Sequence, residues 1–168
     1  QPALARESLF LEGQIALQRN GDAELDRVLD ALPDDSLLTV YLRYNRALLG
    51  EAEDRQQALA ELSRTLGDED DWQDAAPGER RTLHDRVRLT LAALRYQAGD
   101  HGQVPGILAG VDDTSMFGAR ARRLETLSAE DNDAEQMLAQ WAASDSGESS
   151  PQQMALVRGV LHERAGRR

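Results

Sequence analysis

The chain contains no cysteine, so neither a disulfide framework nor a thiolate metal site is open to it. It contains no lysine either, and all nineteen of its cations are arginine. Codon use in a GC-rich genome explains that bias; an acidic surface adapted to high salt is the alternative. Aromatic residues make up only 4% of the 168 positions, and runs of β-branched residues are missing, so there is little from which to build a sheet. No stretch approaches the roughly 18 apolar residues that a spanning helix needs, and no apolar core of a signal peptide precedes a small-residue cleavage site. Direct membrane insertion of this segment is therefore not expected. The chain nevertheless begins Gln-Pro-Ala rather than Met, which suggests a removed signal or anchor, or a piece of a longer protein.

Patterns that carry chemistry are equally scarce. His84, His101 and His162 stand in separate segments, with no carboxylate or second histidine at helical ligand spacing. No Gly-x-Ser-x-Gly elbow and no glycine-rich phosphate loop occurs. No catalytic residue, metal or cofactor is expected, and an enzyme built on an unrecognised carboxylate pair is the minor alternative. Residues 67–79 hold six carboxylates around Trp72, but they lack the central glycine and the twelfth-position glutamate of a calcium loop. They read as a solvated insertion.

What the chain does have is acid and leucine. Thirty acidic residues against nineteen basic give a net charge of −11, which disfavours nucleic acid and anionic lipid as partners. Hydrophobic residues reach 40%, dominated by Leu and Ala, which form helices readily. Val104, Ile107, Leu108 and Val111 fall at i, i+3, i+4 and i+7, one apolar stripe of a helix. The same spacing recurs in Leu25, Val28, Leu29 and Leu32, in Leu59, Leu62, Ser63 and Leu66, and in Ala134, Met137, Leu138 and Trp141. Each stripe follows a longer helix with a small residue near its middle: Gly13, Ala47, Ala92 and Ala121. In the third of these longer helices Val87, Leu91, Leu94 and Ala98 form one apolar line and Leu89, Ala93 and Tyr96 a second, so it should be covered on two faces.

The spacing predicts helix pairs over 3–32, 37–66, 80–111 and 115–143. Pro2 opens the first helix, which shows Leu4, Leu11 and Ile15 on one side and Phe10 and Leu17 on another. Asp22, then Asp35 or Ser36, are candidate N-caps, and a turn is expected at Glu53-Asp54. Gly67 and Gly99 close helices, Gly99 by accepting positive φ. Pro105 fits a first helical turn, and residues 112–115 offer caps for a helix through Met116, Phe117, Ala121, Leu124 and Leu127. Residues 144–150 are linker-like, and Pro151 starts a last helix carrying Met154, Val157 and Leu161, whose end frays near Arg167 and Arg168.

Gly13 to Ala47 is 34 residues, as is Leu25 to Leu59, which is the period of the tetratricopeptide repeat. The order of large, small and turn residues resembles that family, most closely in LAALRYQAGDHGQVPGIL and next in YNRALLGEAEDRQQALAEL. Later spacings depart from the period: Leu59 to Val104 is 45 residues and Val104 to Ala134 is 30. YLRYNRALLG and the stretch from LHDRVRLTLAALRYQAGD to MFGARA also look like a group of bacterial envelope-associated repeat proteins. The resemblance implies an all-α fold: a right-handed α-solenoid of about four antiparallel helix pairs over residues 1–143, a loop at 144–150 and a C-terminal helix at 151–166 that caps the array or begins another repeat.

Such an array implies a non-enzymatic scaffold or adaptor that binds a protein or peptide on its concave face, in the periplasm or cell envelope, with the cytoplasm as the alternative. An architectural spacer within a longer chain is the rival reading. Aligning the small residues puts Phe10 and Gln14, then Tyr41, Tyr44, Asn45 and Leu48, then Arg86, Leu89, Ala93 and Tyr96, on the inward surfaces of successive first helices. Asn45 and Arg86 stand where carboxylate-clamping members of the family keep an Asn and a basic residue. Phe10, Gln14 and Thr90 replace the rest of that clamp, so carboxylate capture is not expected. The tyrosines have a plainer possible role, filling space between helices.

Overall fold

A computed structural model describes residues 2–67, 77–129, 136–137, 139–140 and 151–164. Among them the chain is all-α, with eight α-helices, one 3-10 turn and no strand. The acidic insertion around Trp72, the linker at 144–150, Arg167 and Arg168, and all but four residues of the helix expected over 132–143 lie outside the described residues. No described helix is long and apolar enough to cross a membrane. The helices divide into two compact units, Gln1–Val87 and Arg88–Arg168.

In the first unit α1 (Pro2–Gln18) packs on α2 (Asp22–Ala31) and on α3 (Leu37–Leu49), and α3 packs on α4 (Ala52–Gly67). Helix α1 ends because Asn20 turns left-handed at φ 53°. The Gly21 N–H then reaches back to the Ala16 carbonyl at 2.9 Å and the Asn20 N–H to Leu17 at 3.3 Å. These two bonds form a Schellman motif that satisfies carbonyls the helix would leave open. Ala16, Leu25, Val28, Leu32 and Leu42 make the buried core between the three helices, with Leu9, Phe10, Leu17 and Leu29 packed against it. Gly13 marks the tightest approach: a Cβ there would lie 2.6 Å from a Leu42 methyl and 3.2 Å from Val28 Cγ1. The other stripe of α1, Leu4, Leu11 and Ile15, is exposed.

Of the expected caps Ser36 holds its position, without a side-chain capping hydrogen bond, whereas Asp22 does not. Gly21 occupies the N-cap of α2, and Asp22 is its first residue, where its charge favours the helix dipole. Ser36 is the N-cap of α3, yet its buried hydroxyl has no hydrogen-bond partner among the described residues. The Thr39 hydroxyl donates to the Pro33 carbonyl at 2.7 Å and so ties the start of α3 to the preceding turn. Between α3 and α4 the chain turns at Gly50-Glu51 rather than at Glu53-Asp54, since the Arg55 N–H already reaches the Glu51 carbonyl at 2.8 Å. Glu53 and Asp54 lie instead in the first turn of α4, facing its positive end.

Helix α5 (Pro77–Gln97) begins in the first unit and continues into the second. Its Arg80 donates through Nε and Nη2 to the Leu66 carbonyl at 3.0 and 2.8 Å, closing the end of α4. From Thr82 to Tyr96 no residue is exposed, in keeping with the two apolar lines read from its sequence.

In the second unit α5 ends in the same motif as α1. Gly99 takes φ 87°, its N–H bonds to Tyr96 at 3.1 Å, and the Asp100 N–H bonds to Arg95 at 2.9 Å. A 3-10 turn over His101–Gln103 leads into α6 (Val104–Leu108), with Pro105 in its first turn. This helix is shorter than the stripe suggested; glycines at 106 and 110 oppose propagation, and Val111 closes a turn onto Leu108 at 2.9 Å. The stripe still packs: Ala92, Val104, Leu108 and Ala121 are buried together, with Ile107 and Val111 against them.

Helix α7 (Gly118–Ser128) starts later than residues 112–115 suggested. The Asp112 carboxylate accepts from the Thr114 N–H at 2.8 Å and hydroxyl at 2.7 Å, and Ser115 Oγ accepts from the Phe117 N–H at 3.2 Å. These local bonds hold a turn where a helix start was expected. Met116 lies on that turn, exposed. Finally α8 (Pro151–Arg164) lays Val157 and Leu161 against Leu127 and Ala129.

Candidate binding cavity

The residues named from the sequence fall in two places. Phe10, Gln14, Tyr41, Tyr44, Asn45 and Arg86 belong to the first unit and Tyr96 to the second. Phe10 is half-buried against the α1–α2–α3 core, and Tyr44 is buried. Gln14, Asn45 and Arg86 are half-buried. Tyr96 stacks on His101, ring centroids 4.6 Å apart and planes 17° from parallel, at the edge of the second unit's core.

Tyr41 lines a cavity of about 540 Å³ within the first unit. Leu37, Leu38 and Tyr41 form its wall on α3, Arg6 and Glu7 on α1, and Gly78, Glu79 and Thr82 on α5. Residues three and four apart share a helix face, so Tyr41 extends the surface begun by Leu37 and Leu38 into one apolar floor. The Thr82 hydroxyl donates to the Gly78 carbonyl at 2.7 Å, which occupies its donor and closes the first turn of α5. Glu7 and Glu79 are exposed at the rim, and neither forms an ion pair among the described residues.

A second cavity of about 300 Å³ lies beside the Asn20–Asp22 turn, lined also by Arg46, Leu49 and Gly50. Its guanidinium is engaged, with Arg46 Nη1 at 2.6 Å from Asp26 Oδ1.

Reactive groups do not converge on either cavity. Ser63 Oγ and His84 Nε2 approach to 3.5 Å across α4 and α5, longer than the contact a general base makes with its nucleophile. Among the described residues no three His, Asp or Glu side chains gather as a metal site would need. In the second unit Glu125 has its carboxyl raised above the ordinary 4.5 by burial and, secondarily, by the nearby Asp113 charge. It lies half-buried on α7.

Alignment on the small residues pointed to the middles of the first helices, whereas the cavity lies at their N-terminal turns. Leu37, Leu38, Glu79 and Thr82 were therefore missed. One signal was present: Leu37 and Leu38 are adjacent at a helix start, and a single buried face needs only one of two neighbours. No family model, curated protein or solved structure matches this chain.

Proposed function

We propose that the protein is a non-enzymatic interaction module that holds a protein or peptide segment, with the first unit's cavity as its recognition site. The observation that carries this reading is an apolar floor with a charged rim, supplied by three separate helices and about 540 Å³ in volume. Ligand sites typically measure roughly 300–1,000 Å³ and combine apolar walls with a few polar groups.

The helices are proposed to pair antiparallel and stack as a right-handed solenoid of the tetratricopeptide kind. Three features support this: α1 packs on α2 and α3 on α4, Gly13 lies at a close helix contact, and matching Schellman turns end α1 and α5. A bacterial cell-envelope setting belongs to the proposal and rests on the resemblance to envelope-associated repeat proteins.

Phage display of random peptides on the immobilised chain tests the reading. A recurrent peptide family is expected on the wild type, lost on Leu38→Asp and Tyr41→Ala variants whose circular dichroism and melting are native-like. No enrichment, or enrichment that both variants retain, refutes the assignment of this cavity.

A further inference from the structure

We infer that the cavity selects cationic peptides, with a leucine or aromatic side chain on the floor and a flanking arginine or lysine at the rim. This rests on the reading of the cavity as a peptide site and specifies its ligand. The floor of Leu37, Leu38 and Tyr41 demands apolar area from its occupant, and the volume exceeds what one side chain fills. The rim supplies the sign of charge. Glu7 and Glu79 stand on two different helices, against the single guanidinium of Arg6, which already takes part in an interaction within the chain.

The opposite preference has a physical case, and the residues present answer it. First turns of α3 and α5 line the cavity, and the N-terminal ends of helices attract anions. Here Glu79 lies inside the first turn of α5, so a carboxylate of the chain itself already meets that end. An incoming acidic peptide would add charge to a protein that carries −11. A basic one is drawn in from a distance and meets Tyr41, whose ring face accepts a guanidinium or ammonium.

Fluorescence anisotropy with three dye-labelled hexapeptides tests this at low and moderate salt: Gly-Arg-Leu-Arg-Phe-Gly, the same sequence with Glu for Arg, and the same with Ser for Leu and Phe. The first is expected to bind, and the other two at least about ten-fold more weakly. The Glu7→Gln/Glu79→Gln double variant should weaken the first peptide about five- to ten-fold, in line with two exposed charge pairs. A Glu24→Gln/Glu53→Gln variant, which removes the same charge away from the cavity, should leave it unchanged. Equal binding of the acidic and basic peptides, or equal loss in both double variants, overturns the cationic preference. If Leu38→Asp still abolishes binding in that case, the peptide site itself stands. Absence of binding by all three hexapeptides together with an unenriched phage library defeats both.

Discussion

Two glycines of this chain differ in what an added methyl group would meet. At Gly118 the ideal Cβ lies 2.2 Å from the Asp113 carbonyl oxygen and 2.6 Å from its carbon, backbone atoms that cannot rotate aside. Gly118→Ala should therefore cost about 2–3 kcal/mol, read from the urea midpoint, as overpacking against fixed structure does. At Gly13 the obstacle is a Leu42 methyl, which can turn. Alanine also improves helix propensity by about 1 kcal/mol, so Gly13→Ala should cost less than Gly118→Ala. The reverse order would refute the close wrapping of the 112–117 turn over the start of α7. Glu125 gives a second test. Its carboxyl titrates above the unfolded value, so the folded chain binds more protons between the two, and stability falls as pH rises through that window. Glu125→Gln should raise the melting temperature at pH 7, with the gain vanishing below about pH 4. A constant difference at every pH would exclude ionisation as the cause.

Among elements, the turns that end α1 and α5 share one hydrogen-bond pattern but place different residues at the left-handed position, Asn20 and Gly99. Because an ordinary side chain there costs roughly 1–2 kcal/mol, Gly99→Ala should destabilise by about that amount, whereas Asn20→Gly should be close to neutral. Thermal melts of the two variants compare them directly. The stripes were legible in sequence, and so were the glycine and proline boundaries, because periodicity and φ restriction act locally. Which stripe faces inward was not. Helix α1 shows Leu4, Leu11 and Ile15 as clearly as its inner residues, yet those three are exposed. Only the partner helices decide between the two faces. The same limit separates Leu25, buried, from Leu29, partly covered, within one four-residue stripe. Leu25→Ala should cost about 2–5 kcal/mol and Leu29→Ala less.

For the whole molecule the dominant quantity is charge. With a net charge of −11, added sodium chloride should raise the melting temperature by screening self-repulsion within a Debye length of about 8–10 Å. A lower melting temperature in moderate salt would mean that pairs such as Arg27–Glu12 and Arg95–Asp100 outweigh that repulsion. The candidate site was legible only in part. Tyr41 could be read from its place on a first helix, but the cavity depends on α1, α3 and α5 presenting residues of their N-terminal halves together, and that convergence has no counterpart in local spacing. The unbroken coverage of residues 82–96 within α5 has a further consequence for proteolysis. Trypsin can cut this lysine-free chain only after its nineteen arginines, and three of them, Arg86, Arg88 and Arg95, lie inside the stretch from Thr82 to Tyr96 where nothing is exposed. Cleavage requires local opening. Sites on open helix faces, such as Arg64 and Arg158, should be nicked first, so the longest-lived tryptic fragment should carry 82–96 uncut.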